Sequence, residues 1–451
     1  MIIEFRVQNF RSFRDEQVLN FVASNYDKSL PENVISPNLP GLPELRLVKA
    51  IALYGPNAGG KSNLLAALNF LRRLVVESAA DFKPDQPIPA EPFLLDPDFA
   101  KKPTIVDLTF VAENTRYEFA VAATSERVLH ERLIAYPTGR SEIWYDRLWD
   151  DDAKRYDWSS AQTSSFECDP GIVARTRDNA LFLSTAAQWN DLKITPLFRW
   201  FNRGLMGLGP NPDWRASPAF TAFMMEFFPS ARAAIPRLLK SADFGLAEVE
   251  IKNEYRDEAE VGFGELGSGV MRDRNDYSFA QLRNLTFQHE GKDGKRFPMK
   301  WGDQSSGTRR YFGLLGIWLS AMAGGEVLCV DELDASLHPL LTTELLRYFL
   351  RATGATGERA AAQLLFTTHS PVLLDTTLLR RDQIWFADKN REGASFIYPL
   401  TEYKPRVDES LARGYLSGRY GAVPFIPRGL VEGDAQGSDV NPPSEAPAHA
   451  G

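Results

Sequence analysis

Gly55-Pro56-Asn57-Ala58-Gly59-Gly60-Lys61-Ser62 is the stretch on which the fold turns. Its pattern is G-x-x-x-x-G-K-[ST], in which main-chain N–H groups cradle phosphate oxygens and the lysine reaches the terminal ones. The flanks agree with that use. Val48-Lys49-Ala50-Ile51-Ala52-Leu53-Tyr54 is an apolar run feeding the loop, and Leu64, Leu65, Leu68, Leu71 and Val75 follow it at helical spacing. Strand, loop and helix in this order are the context a phosphate loop requires. A glycine-rich turn that merely caps a helix is the alternative, and it needs neither flank. Lys61 is expected to neutralise the β- and γ-phosphates, and Ser62 to ligate Mg²⁺. Asn63 completes the candidate nucleotide-contacting set, which runs from Gly55 through Asn63.

Two later segments extend the site. Val327-Leu328-Cys329-Val330 is an apolar strand that ends in Asp331-Glu332, where open α/β sheets place their ligands. Asp331 is expected to hold Mg²⁺ through water and Glu332 to polarise the attacking water. A helix-start pair acting on a helix dipole is the other use of such residues. Before them lies Asp303-Gln304-Ser305-Ser306-Gly307-Thr308, preceding a helical pattern through Leu314, Leu315, Trp318 and Leu319. Exposed N–H groups and the helix dipole bind anions at such a start, and simple capping by Asp303 or Ser305 competes with that reading. Leu364-Leu365-Phe366-Thr367-Thr368-His369-Ser370-Pro371 is a further strand with a histidine at its polar end. His369 is a candidate γ-phosphate contact, against a structural histidine in a turn.

Bulk composition bounds the class. The 451 residues allow two or three domains, or one with a large insertion, and 44% hydrophobic with 24% charged residues is ordinary for a globular protein. The longest apolar runs are too short to span a bilayer, and Met1-Ile2-Ile3-Glu4-Phe5-Arg6 lacks a secretion signal. Only Cys168 and Cys329 occur, so a reducing cytoplasm is expected rather than a disulfide framework or zinc site. The formal charge of −8 argues against nucleic-acid affinity spread over the whole surface, though not against a local basic groove.

Along the chain, Ile2–Val7 alternates like a half-buried strand, and Asn9-Phe10-Arg11-Ser12-Phe13 turns out of it. Thr104 to Val111, Tyr117 to Ala122, Leu129 to Tyr136 and Glu142 to Arg147 read as an antiparallel sheet. Asp150 to Pro170 reads as a polar loop or hairpin. Thr195 to Lys240 reads as helical and aromatic-rich, and 253–280 as a polar, flexible connection. The expected organisation is an N-terminal lobe over 1–150, a helical insertion or lid over 151–283 and a C-terminal lobe over 284–426. A disordered tail over 427–451 carries Glu432, Asp434, Asp439 and Glu445 without a basic residue. Neither heptads nor internal repeats are evident.

Phosphate loop, Ser-Ser-Gly-Thr segment and Asp-Glu strand together resemble the SMC/RecF-like branch of ABC-type ATPases. Val7-Gln8-Asn9-Phe10-Arg11-Ser12-Phe13 and Asp334-Ala335-Ser336-Leu337-His338-Pro339 fit the same branch. More closely the chain resembles the small prokaryotic ATPases of phage-defence operons, the RloA/AbiL-like and AriA-like proteins. Arg116-Tyr117-Glu118-Phe119, Asp243-Phe244-Gly245, Asp382-Gln383-Ile384-Trp385-Phe386 and Tyr415 to Pro424 carry that likeness, which covers Met1 to about Ile426.

The resemblance implies an α/β P-loop NTPase of ABC-head type, with a mixed sheet, an antiparallel subdomain and a helical insertion. It implies ATP with Mg²⁺, and a homodimer or higher oligomer in which each nucleotide lies between one copy's phosphate loop and the other's Ser305-Ser306-Gly307. In the same terms His369 is the switch histidine, and His338 lies in a segment that reports across the dimer interface or simply caps and packs. Gln188, after a stretch read as an apolar strand, is the candidate Q-loop glutamine at the metal, an ordinary surface glutamine being the alternative. A separately encoded effector is the expected partner, no membrane is involved, and Gly418 to Pro424 is read as a wrap returning to the ATPase core. Two other readings stand beside this one. A RecF-like DNA-repair clamp would need a basic stripe, for which Arg72-Arg73, Arg309-Arg310 and Arg380-Arg381 are candidates. A low-turnover ATP-binding scaffold is the other.

Overall fold

The run that feeds the phosphate loop lies inside a six-stranded sheet. A computed structural model describes residues 1–158, 166–208, 214–242, 244–251, 282, 285–352, 361–406 and 409–424. In it the strands stand in the order Leu205–Leu208, Val327–Val330, Gln363–Thr367, Ala50–Tyr54, Ile384–Lys389 and Ser395–Pro399. The first five run parallel and the last returns as an antiparallel hairpin. Ala50–Tyr54, Val327–Val330 and Gln363–Thr367 are buried at every position, as strands covered on both faces must be. Their side chains part by alternation. Ile51 and Leu53 enter one core, and Ala50, Ala52 and Tyr54 enter the other.

The first core lies against a seven-stranded antiparallel sheet ordered Arg155–Asp157, Glu142–Asp150, Val128–Tyr136, Thr115–Ala123, Thr104–Ala112, Ile2–Gln8 and Gln17–Asn20. Its strands alternate buried and half-exposed, the mark of a sheet wet on one face. Gln363 ties the sheets together: its Nε2 donates to the Ile2 carbonyl and its Oε1 accepts the Ile2 N–H. The second core is built from Pro218–Phe227, Pro229–Ser241, Ser306–Gly324 and Pro339–Ala352. Gly316 lets two of these helices meet. A Cβ there would lie 2.5 Å from Thr221 Oγ1, an atom that instead accepts the Gly316 N–H. A small sheet of Leu246–Ile251, Leu285–Glu290 and Arg296–Lys300 completes the fold.

The antiparallel strands and the phosphate-loop helix, Lys61–Glu77, lie where the sequence puts them. Other stretches differ. The Thr195–Lys240 region is not wholly helical, because Leu205–Leu208 forms the edge strand of the parallel sheet beside Val327–Val330. Four apolar residues cannot display either period, so their partner strand decides. Val48–Tyr54 is broken at Lys49, which is buried and donates to the Leu350 carbonyl. The stretch before Gln188 is the helix Phe182–Gln188, not a strand. Arg155–Asp157 confirms the hairpin after Asp150. Asp243, 253–280 and 427–451 lie outside the described residues. Among the described residues no helix is long and apolar enough to cross a membrane.

Candidate nucleotide site

The site begins with the turn between Ala50–Tyr54 and Lys61–Glu77. Gly55 has φ 152°, Ala58 φ 62° and Gly60 φ 107°. A Cβ on Gly55 would lie 2.1 Å from the Ala387 carbonyl oxygen, so the loop is pressed onto the neighbouring strand with no room for a side chain. No side chain caps the helix, whose first N–H groups and dipole remain for an anion. Lys61 is buried, and its Nζ donates to the carbonyls of Gly55 (2.8 Å) and Pro56 (2.9 Å). Burial pushes its pKa down while Asp331, Glu332 and Asp334 oppose the fall. Ser62, Asn57 and Ala58 are exposed and Pro56 is half-buried. The Asn63 side chain donates to Ser12 Oγ (2.8 Å), which also receives the Ser395 hydroxyl, so Asn63 offers a ligand its main chain.

Asp331 and Glu332 follow the strand next but one to Ala50–Tyr54, with Gln363–Thr367 between them. Thr367 Oγ1 donates to Asp331 Oδ1 (2.6 Å) and accepts the Glu332 N–H (2.7 Å). Glu332 is exposed and stands at φ 50°, in the left-handed region. Asp334 turns back to accept the His369 N–H. His369 is held below its ordinary pKa by burial and then by Lys61, with Asp334, Glu332 and Asp331 opposing. Lys61, the three carboxylates and His369 therefore share one field at the carboxyl ends of three adjacent strands. Ser62 and Asp331 supply only oxygen donors, which suits Mg²⁺ completed by phosphate oxygens.

Ser305 caps the helix Ser306–Gly324: its Oγ accepts the Thr308 N–H at 3.1 Å. The capping reading thus holds for Ser305, while Asp303 accepts the Lys300 N–H of the preceding turn. Ser305 and Ser306 are exposed, and a Cβ on Gly307 would lie 3.0 Å from the Ser336 carbonyl. Among the described residues no hydrogen bond joins Ser305, Ser306 or Gly307 to the phosphate loop. From the same helix, Arg310 donates to the carbonyls of Asp331 (3.4 Å) and Glu332 (3.2 Å). His338 Nδ1 accepts the Leu340 N–H, so it caps Pro339–Ala352.

Gln188 is exposed at the end of its helix, and among the described residues no hydrogen bond joins it to the phosphate loop or Asp331. Of the three arginine pairs, only Arg309 is exposed and Arg72 and Arg381 are half-buried. Arg380 is buried against Asp382, Arg73 pairs with Glu77, and Arg310 is half-buried. Thr367, Asp334, Arg310 and Tyr415 surround the site; the sequence reading gave Thr367 no role, Arg310 only one in a basic pair, and Asp334 and Tyr415 only places in segments that carry the resemblance. Thr367 carried one signal, a hydroxyl at the last position of an apolar strand beside the Asp-Glu strand. The wrap over Gly418–Pro424 is observed. Tyr415 packs edge-on against Tyr54, with ring centroids 5.5 Å apart, and Tyr398 Oη donates to the Tyr420 carbonyl.

No curated protein matches the sequence. Among solved structures, the SMC head domain from Thermotoga maritima shares 14% identity at TM-score 0.35, over 88% of this chain and 98% of that one. An Smc head bound to the C-winged helix domain of ScpA shares 14% at 0.39, over 90% and 99%. An Smc head with extended coiled coil, bound to the C-terminal domain of ScpA from Pyrococcus furiosus, shares 13% at 0.35, over 93% and 99%. A family profile described as "AAA domain, putative AbiEii toxin, Type IV TA system" matches residues 50–375, well over half of the chain and all of the site from Gly55 to His369. The chain belongs to this AAA-domain family of P-loop ATPases.

Proposed function

We propose that the chain binds Mg²⁺-ATP and hydrolyses it, that two copies close around the nucleotide, and that closure controls a separately encoded effector in cytoplasmic antiviral defence. The observation that supports this best is the convergence of Lys61, Asp331, Glu332, Asp334 and His369 beside an uncapped helix start. Phosphate oxygens would draw Lys61 Nζ away from the Gly55 and Pro56 carbonyls. Ser62 and Asp331 would hold Mg²⁺, which when bound neutralises charge on the phosphates. Glu332 would orient and polarise the attacking water, and His369, neutral at pH 7, would hydrogen-bond the terminal phosphate. Gln188 retains the Q-loop role as part of this proposal.

Ser305–Gly307 stand at an exposed helix start, unbonded to their own phosphate loop, and would bind the phosphates of a second copy. Contacts made only with the terminal phosphate would favour the closed state, and hydrolysis would release it. The DNA-clamp reading has less support, since Arg380 is buried against Asp382 and Arg73 pairs with Glu77, while Arg309 stays exposed. A low-turnover scaffold differs only in rate.

Light scattering of Glu332→Gln tests the reading. Mg-ATP is expected to raise its solution mass, and adding Ser305→Arg to prevent the rise. A monomer with ATP bound would remove closure from the proposal, and nucleotide retained by Lys61→Ala would remove the site itself. Turnover by the wild type, compared with its bound nucleotide, separates ATPase from scaffold.

A further inference from the structure

Thr367 closes the strand Gln363–Thr367, next in the sheet to the strand that delivers Asp331, and it is fully buried. Its hydroxyl has one proton, and an amide can only donate, so the direction of both its bonds is fixed. The Glu332 N–H donates to Oγ1 at 2.7 Å, and Oγ1 donates to Asp331 Oδ1 at 2.6 Å. The Thr367 carbonyl accepts the next amide, Leu333 N–H, at 3.0 Å. One residue thus holds the carboxylate of Asp331 and two successive main-chain amides around Glu332. Between those anchors Glu332 takes φ 50°, a conformation that a residue with a side chain rarely adopts unaided.

We propose that Thr367 is the positioning residue for both carboxylates. It engages Asp331 Oδ1, leaving Oδ2 as the oxygen offered to the metal, and it fixes the main chain from which the Glu332 side chain reaches the water. This inference rests on the reading of the site as a Mg²⁺-ATP site and assigns no chemistry to Thr367 itself. A hydroxyl acting on a metal ligand from behind changes metal affinity or activity by about 10- to 100-fold when lost.

The test compares Thr367→Val, which keeps the shape and loses the hydroxyl, with Thr367→Ser, which keeps the hydroxyl. A non-hydrolysable ATP analogue is titrated calorimetrically with and without Mg²⁺, and turnover is measured alongside. Thr367→Val is expected to bind the metal-free analogue as the wild type does. It should lose about tenfold of the affinity that Mg²⁺ adds, and about 10- to 100-fold in kcat with KM little changed. Thr367→Ser should stay within about twofold of the wild type on every reading. Hydrogen exchange of the Glu332 amide in nucleotide-free protein should quicken in Thr367→Val and stay slow in Thr367→Ser. A full Mg²⁺ gain in Thr367→Val overturns the proposal. So does its loss in a folded Thr367→Ser, because the methyl packing would then carry the effect, and this arm decides the matter even where Thr367→Val fails to fold. A wild-type protein that binds no analogue, or a Lys61→Ala variant that binds it equally, would instead sink the ATP-site reading.

Discussion

His369 is an exposed histidine on a firmly held main chain. Its N–H goes to Asp334, and its ring lies within the field of Lys61 and the three carboxylates. Burial and Lys61 both favour the neutral imidazole, so protonation is displaced below the ordinary value of 6.5. The sign follows directly. If the neutral ring serves the phosphate, turnover is retained above that value and falls on the acid side, as pH drops through the lowered pKa. Asp334 pulls the other way, so Asp334→Asn should move the acid limb to still lower pH. Rate profiles between pH 5 and 8 check this, with His369→Ala as the control that removes the limb. An acid limb that persists unmoved in His369→Ala would assign it to another group. At the residue scale Lys61, Asp331, Glu332 and His369 were legible as candidates, because each stands in a short motif, and the strands that carry those motifs lie side by side. Beyond its hydroxyl at the end of an apolar strand, Thr367 carried no sign of its role, because its partners are 35 and 36 positions away in the chain and meet it only through sheet register.

At the scale of elements, the buried pair Glu131 and Arg147 explains why a short segment before Gln188 is helical. Glu131 accepts the N–H groups of Phe182 (2.6 Å) and Leu183 (3.0 Å), capping that helix from another strand. The Tyr145 hydroxyl also donates to it, and Arg147 stands 3.5 Å away with both side chains fully buried. Burial raises the Glu131 pKa despite Arg147 and these donors. Leu181-Phe182-Leu183 alone reads equally as strand or helix, and the deciding carboxylate lies 51 residues earlier. Leu205–Leu208 was illegible for the same reason, since its strand character comes from Val327–Val330. Long alternating strands such as Thr104–Ala112 needed no such help. Glu131→Gln should leave Arg147 buried without its counter-charge and set an NH2 group against one of the two N–H donors. The expected cost is about 3–5 kcal/mol. Urea unfolding measures it, and the double change Glu131→Leu with Arg147→Met should cost clearly less than the sum of the single ones. Additive costs would mean that the two side chains act independently.

For the whole molecule, a segment late in the chain packs beside the strand that enters the phosphate loop. Residues 409–424 return to the sheet and fasten there: the Tyr420 hydroxyl donates to Glu409 (2.6 Å), and Asp388 accepts the Ala422 N–H (2.9 Å). Tyr415 lies in the middle of this return. Its ring meets Tyr54, the residue before Gly55, and stacks on Phe386 at 5.8 Å, while its hydroxyl donates to the Ala422 carbonyl. Tyr54 in turn donates from its hydroxyl to the Ser370 carbonyl, next to His369. The C-terminal segment therefore braces the entry to the phosphate loop and the turn at His369 through one aromatic stack. Tyr415→Phe keeps that stack and loses the hydroxyl's bond to the Ala422 carbonyl and its interaction with the Gly55 N–H, at an expected cost of about 1–2 kcal/mol. Tyr415→Ala empties a buried site, with an expected cost of about 3–5 kcal/mol. If bracing matters for the site, Tyr415→Ala should also weaken binding of a fluorescent ATP analogue under conditions where urea unfolding shows it still fully folded, and Tyr415→Phe should not. A folded Tyr415→Ala with wild-type affinity would reduce the C-terminal return to a stabilising contact, with no part in shaping the phosphate loop.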